Sequence, residues 1–314
     1  MLPPASAQTP LGELVEKCYA LGPFPALWAV EGLGHYYGDA CYARNESPQD
    51  LLTKPELRSL PAKSLTMLHA GIGLSFAQHS LDGITARSAA ADVRRAVETT
   101  IELCRSNSQL GYAGAAIESL GLVSRWLHDL GTLRAVDEQL AAIAPDLVGY
   151  LWHGAGRAVY FSPPNFVPGL RTPWRAVEMC QREAPHDIGR RNLVAGFAWA
   201  VTLVNMGFPL IMETVLKYHG EQFAADDAFS NGIASSIMMR YDTSPDDPTI
   251  ANFLQYRPAG GDSGNGPKLA SLWDRLVKRP TESAMLQCYP ILKENRRMEE
   301  VFHYQDLASL VRKR

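Results

Sequence analysis

The sequence predicts an all-α protein, with about six divergent helix-pair repeats forming an α/α superhelix or a closed toroid. Three observations predict it. A short pattern, x-small-apolar-small, recurs six times inside apolar segments. Amphipathic, charge-bearing segments at helical spacing separate the copies. No run alternates apolar and polar residues as a half-buried strand would.

The six copies are Glu31-Gly32-Leu33-Gly34, Ala70-Gly71-Ile72-Gly73, Glu118-Ser119-Leu120-Gly121, His153-Gly154-Ala155-Gly156, Ala195-Gly196-Phe197-Ala198 and Asn231-Gly232-Ile233-Ala234. Their first small residues lie 35 to 48 positions apart (154 − 119 and 119 − 71 at the extremes), a period that suits a helix pair. Proline precedes several copies by two or three helical turns, at Pro25, Pro61, Pro145 and Pro185. Proline favours the first turn of a helix, so these positions mark helix starts, as do Ser47-Pro48 and Thr172-Pro173. Glycine inside a helix costs about 1 kcal/mol relative to alanine. Its recurrence therefore needs a compensating gain, and close backbone approach between helices supplies one. The copies accordingly form an inner layer of packed helices. Segments 91–105 and 134–144 form outer helices with one wet face. In the first, Val93, Ala96, Val97 and Ile101 keep helical spacing.

Segment 193–212 carries no charge over a length sufficient to span a bilayer. Thr202, Asn205 and Pro209 interrupt it, so it reads as a core helix that ends before a second element. After Tyr241 the turn-rich Ser244-Pro245-Asp246-Asp247-Pro248 and a Gly-rich stretch at 258–267 break the pattern. One structural domain is expected, comprising an N-terminal cap at 1–20, a helical repeat domain at 21–256, and a loop with a C-terminal helical cap at 257–314.

Composition narrows the function. The 314 residues are 46% hydrophobic and 20% charged, and the net charge of −3 leaves no basic footprint for nucleic acid. Five scattered cysteines without a C-x-x-C pair fit free thiols in a reducing compartment. Residues 1–10 lack the basic and apolar regions of a secretory signal, so a cytoplasmic location is expected. No transmembrane span is expected, and the oligomeric state is not legible.

Several motifs reduce to structure. Gly32-x-Gly34-x-x-x-Gly38 imitates a dinucleotide fingerprint but recurs at Gly71 and Gly154 without strands, which marks packing glycines. Gly261-Asp262-Ser263-Gly264 imitates a protease nucleophile without the β-barrel that chemistry requires. Asp226-Asp227 and Asp246-Asp247 resemble the Asp-rich motifs of terpene cyclases. Met239 stands where a further carboxylate belongs, so the acids read as helix-start and turn residues. No metal-ligand spacing occurs, and the sequence assigns no cofactor.

The residue before each first small position carries the chemistry. Glu31, Glu118 and His153 occupy equivalent places in different copies and are the candidate catalytic residues. Arg157 lies one turn beyond His153, and His35 one turn beyond Glu31. A Glu–His–Arg cluster in an apolar surrounding has the groups that general acid–base catalysis needs. The same cluster also serves as an inter-repeat network that fixes register. Trp28, Tyr36, Trp152, Tyr160 and Trp199, with His35 and Arg157, are the expected ligand-binding residues.

At these residues the chain resembles an uncharacterised bacterial domain family encoded in enediyne polyketide gene clusters. The resemblance rests on the order of weak motifs at 27–34, 69–77, 111–121, 153–161 with Arg157, 194–200 and 228–238, over roughly 24–256. It implies a bacterial natural-product context and carries no catalytic assignment. His153 stands where that family more often has a different polar pair. Two functions are expected from these readings. One is an enzyme or ligand-binding accessory acting on a bulky apolar small molecule. The other is a helical repeat scaffold that binds a protein partner without catalysis. An enclosed cavity touching Glu118 and His153 separates the first from the second.

Overall fold

Proline and capping residues set the helix starts. A computed structural model describes residues 10–162, 175–259 and 266–306. Pro23 opens α2 (Pro23–Ala43) after α1 (Leu11–Tyr19), and Pro25 lies in its first turn. Pro61 immediately precedes α3 (Ala62–Ser80). Then follow α4 (Ala90–Asn107), α5 (Ala113–Ile117) and α6 (Ser119–Trp126). Asp129 caps α7 (Leu130–Ile143) by accepting from the Thr132 amide at 2.7 Å. Pro145 opens a 3-10 turn that leads into α8 (Val148–Phe161). After α9 (Arg175–Arg182), Pro185 precedes His186, whose Nδ1 accepts from the Gly189 amide at 2.9 Å and caps α10 (Asp187–Asn205). Pro209 starts α11 (Pro209–Phe223), so the uncharged run at 193–212 is split as its proline requires.

Asp226 accepts from the Ala228 amide at the start of α12 (Ala228–Thr243), and Asp247 caps α13 (Pro248–Gln255). α14 (Gly266–Trp273), α15 (Arg279–Ser283) and α16 (Tyr289–Glu294) run on through two π-helical turns. No strand occurs among the described residues, and none of their helices is long and apolar enough to cross a membrane. Ser47-Pro48 does not start a helix; the next helical turn begins at Pro55. Thr172-Pro173 and the 261–264 motif lie outside the described residues.

The inner helices are α2, α3, the α5–α6 pair, α8, α10 and α12, each in contact with the next. All residues of α8 from 148 to 159 are buried, as are 193–203 of α10. A helix apolar on every side must be enclosed by others. α4 and α7 are outer helices, and Val93, Ala96, Val97 and Ile101 form the buried face of α4.

The recurrent glycines lie at the helix crossings. A methyl group at Gly71 would fall on the Glu31 carbonyl oxygen, and one at Gly73 on that of Ala116. Gly154 meets the Glu118 carbonyl, Gly196 the His153 carbonyl and Gly232 the Ala195 carbonyl in the same way. Each pair of backbones is thus too close to admit a Cβ. Gly32 is the exception: it is exposed, a Cβ there would meet nothing within 4 Å, and Gly34 makes the contact instead, against Leu68. The sixth inner helix returns to the start of the first, where Arg240 donates to the Pro23 carbonyl at 2.9 Å and pairs with Asp247.

The C-terminal segment does not stay on the last inner helix. From a 3-10 turn, Met298–Phe302, it crosses the N-terminal ends of four inner helices. Glu299 accepts from the Gly114 amide of α5 at 2.8 Å, and His303 lies against Tyr150 of α8. The Tyr304 amide donates to Asn192 of α10 at 2.6 Å, and the Gln305 backbone exchanges hydrogen bonds with the Asn231 side chain of α12.

Candidate functional site

Three helices bring four charged or titratable groups together in the core. Glu118 stands at the junction of α5 and α6, and His153 and Arg157 are one turn apart on α8. The crossing at Gly154 brings these helices into contact. The Glu118 carboxylate accepts from Arg157 Nη1 at 2.8 Å and pairs with His153 Nδ1 at 2.9 Å. From the opposite side, Glu31 of α2 accepts from Arg157 Nη2 at 3.2 Å. Glu118 and His153 are fully buried, Arg157 is 1% exposed and Glu31 9%.

A carboxylate accepts hydrogen bonds, so the His153 contact places the ring proton on Nδ1 and leaves the Nε2 lone pair facing away from Glu118. Burial pushes His153 below its ordinary value, against the Glu118 hydrogen bond, and so favours the neutral ring. Burial likewise raises Glu31 toward its protonated form, with Arg157 opposing. Burial disfavours the Arg157 guanidinium, but the charges of Glu118 and Glu31 outweigh it and hold the group more strongly cationic.

Aromatic rings form the rest of the wall. Arg157 lies over the Trp199 ring at 4.8 Å, and Trp199 meets the His153 ring edge-on at 6.0 Å. Phe302 closes the other side, 5.5 Å from Trp199 and 6.3 Å from His153 between ring centres. Three buried nitrogens around Trp199 have no hydrogen-bond partner among the described residues: His153 Nε2, Arg157 Nε and Trp199 Nε1. Buried polar atoms in folded proteins are nearly always paired, so three orphans against one ring are unusual.

The other expected ligand-binding residues separate from this cluster. Trp152 is fully buried but turns away, donating from Nε1 to Asp137 at 2.7 Å with His186 beside it. Successive helical residues point about 100° apart, so the residue next to His153 faces another layer. His35 pairs with Gln78 at 2.8 Å rather than joining the cluster through a hydrogen bond. Tyr36 is exposed and packs on Tyr37. Trp28 is half-buried, edge-on to Phe24 and Phe161, and the Tyr160 hydroxyl accepts from Asn205.

Sequence reasoning missed His69 and Phe302. His69 is fully buried and stacked on Tyr112; its Nδ1 contacts the Leu65 carbonyl at 2.6 Å and its Nε2 accepts from the Gln109 amide at 3.0 Å. Burial lowers its pKa to about 4. It precedes the template position Ala70 by one residue, and the signal available was a histidine within the apolar run 65–77.

Two surface clefts lie away from the cluster. One runs between α4 and α7 along Arg94, Glu102 and Ile143, and the other lies beside Tyr256 and Trp273. Among the described residues, no group of three His, Cys, Asp or Glu side chains is placed to hold a metal ion. Comparison with protein-family models, with curated proteins and with solved structures finds no match to this chain.

Proposed function

We propose that the chain is an enzyme or ligand-binding accessory of bacterial natural-product biosynthesis that acts on a bulky apolar small molecule by acid–base chemistry. The observation that carries this reading is the set of unpartnered nitrogens around Trp199. A register-fixing network is expected to satisfy its own polar atoms. This one leaves two N–H groups, on Arg157 and Trp199, and one basic lone pair, on His153, without partners beside the rings of Trp199 and Phe302.

That set matches a ligand oxygen flanked by apolar surface. Arg157 Nε–H and Trp199 Nε1–H donate to the oxygen, and His153 Nε2 takes a proton from a neighbouring acidic position. Glu118 holds the imidazole in the required tautomer and steadies the imidazolium that forms. The resemblance to the enediyne-cluster family supports the natural-product setting, and the free thiols support a cytoplasmic location.

The test is native mass spectrometry of the chain purified from its own host. The expected result is a retained small molecule that His153→Asn and Glu118→Gln fail to retain. Wild-type protein free of any such molecule, and inert toward a host metabolite extract, would overturn the reading. A second reading, a scaffold for a protein partner, is favoured by the exposed Phe208, Leu210 and Ile211 where α10 turns into α11. Its mark is a partner lost on Phe208→Ser and Leu210→Ser and kept in the His153 variant.

A further inference from the structure

The side chains enclosing the cluster come from two sources of different mobility. Glu31, Glu118, His153, Arg157 and Trp199 stand on inner helices whose backbones touch at the glycine crossings. Those helices cannot part without dismantling the core. Phe302 stands on the C-terminal segment, which closes the mouth of the inner layer through the buried side chains of Met298, Val301 and Phe302 and through hydrogen bonds at the rim. Glu299 bonds the Gly114 amide, Asn192 accepts from the Tyr304 amide, Asn231 pairs with the Gln305 backbone, and the Tyr304 hydroxyl donates to Asp227 at 2.7 Å.

We infer that this segment, residues 298–306, is a displaceable strap over the site, and that Phe302 occupies the position a bound apolar molecule takes when the strap opens. The inference rests on the reading of the cluster as a working site. Within the strap's 3-10 turn only Met298, Val301 and Phe302 are buried, while Glu299 and Glu300 stay at the rim. A bulky apolar ligand that meets Trp199 and the His153 edge would replace the contacts Phe302 makes there.

The strap begins where α16 is capped. Arg296 sits at φ +52°, in the left-handed region that non-glycine residues seldom occupy. Gly111, at φ +86°, packs so closely that a Cβ there would fall on the Arg296 carbonyl. The Arg296 and Arg297 amides bond back to the Lys293 and Leu292 carbonyls, so Arg296 is the left-handed residue that closes α16, and the strap starts as a separate element beyond that cap. Elements that open to admit ligands come from the least stable parts of a fold.

The experiment is native-state hydrogen exchange on the full chain, combined with carbethoxylation of histidines by diethyl pyrocarbonate, both located by peptide mass spectrometry. The Glu299, Tyr304 and Gln305 amides donate to Gly111, Asn192 and Asn231, so their exchange reports strap opening. In the wild type they should exchange while the α8 amides stay protected. Asn231→Ala should speed both their exchange and His153 modification by the same factor, at least about tenfold. His69, with both ring nitrogens engaged, should stay unmodified, and His79, which is exposed, should react throughout.

Strap amides that exchange only together with α8 in the wild type would overturn the inference, whether or not the variant folds. Faster strap exchange without exposure of His153 would overturn it as well. Neither measurement needs a ligand, so failure of the gate is distinguishable from failure of the proposed function, which native mass spectrometry reports.

Discussion

Replacing Glu118 with glutamine tests the electrostatics of the core most directly. Glu118 is the shared partner of Arg157 and His153 and is itself fully buried. Glutamine keeps the shape and one acceptor, which His153 Nδ1–H still uses. Its amide nitrogen then faces Arg157 Nη1, so a donor meets a donor. The guanidinium is left with Glu31 alone, across 3.2 Å, and burial already drives Glu31 toward its neutral form. Breaking one partner of a buried pair while the other charge stays costs about 3–5 kcal/mol. The measurement is the guanidinium chloride midpoint at neutral pH, with the denaturant slope unchanged. The cost resides in the stranded guanidinium, so Glu118→Gln combined with Arg157→Met should recover much of it. The coupling in this double-mutant cycle should reach about 2 kcal/mol. Single and double variants both within about 0.5 kcal/mol of the wild type would refute the assignment of a desolvated ion pair.

Gly154→Ala should destabilise by about 1–3 kcal/mol, since its methyl falls on the Glu118 carbonyl, while Gly32→Ala should stabilise by about 0.5–1 kcal/mol because nothing lies near it; equal midpoints for the two would contradict the crossing argument. His69 is held at about 4 against an ordinary 6.5, so the unfolded chain takes up the proton first. Stability should therefore fall as pH drops from 6.5 toward 4, by roughly 3 kcal/mol at 1.36 kcal/mol per pKa unit. His153 is depressed in the same direction, so a denaturation series across this window should show a shallower dependence in His69→Gln, with some slope left; identical slopes in both proteins would count against the assignment. Removing the imidazole cap of α10 with His186→Ala should cost about 1–2 kcal/mol, and an unchanged midpoint would show that the Gly189 amide finds another acceptor.

The parts of the site legible in the sequence are those governed by local rules. Gly154 and Gly196 stood out because glycine is costly within a helix, and each lies against a neighbouring backbone. Glu118 and His153 share a template position, which is why stacked helices bring them together, and Arg157 follows His153 by one turn. Glu31 joins them from 126 residues away through the length of the Arg157 side chain. Where reading failed, the missing information was angular or non-local. Trp152 lies next to His153 in sequence but faces Asp137, because neighbouring positions on a helix point in different directions. Gly32 shares the pattern yet stands in solvent, because four residues of a helix cannot all face one neighbour. Nothing in the 298–306 segment announces that Phe302 reaches His153. It has no periodicity, and its partners on α5, α8, α10 and α12 come from distant parts of the chain.

The cost of the cluster bears on what the chain is for. Each buried nitrogen left without a partner forfeits about 1–3 kcal/mol, and a buried ion network can often be exchanged for apolar residues with no loss of stability. Six inner helices already fixed by backbone contact at their glycines do not need a central ion network to set their register. A core selected for stability alone would place leucine or phenylalanine where His153 and Arg157 stand. On the proposed function, their presence beside the rings of Trp199 and Phe302 is accounted for by a ligand oxygen that satisfies the unpartnered nitrogens. Binding and stability then oppose each other at these residues. Variants that replace the cluster with apolar side chains of equal volume should hold or raise the unfolding midpoint while abolishing ligand retention. A network that merely supported the fold would lose both together.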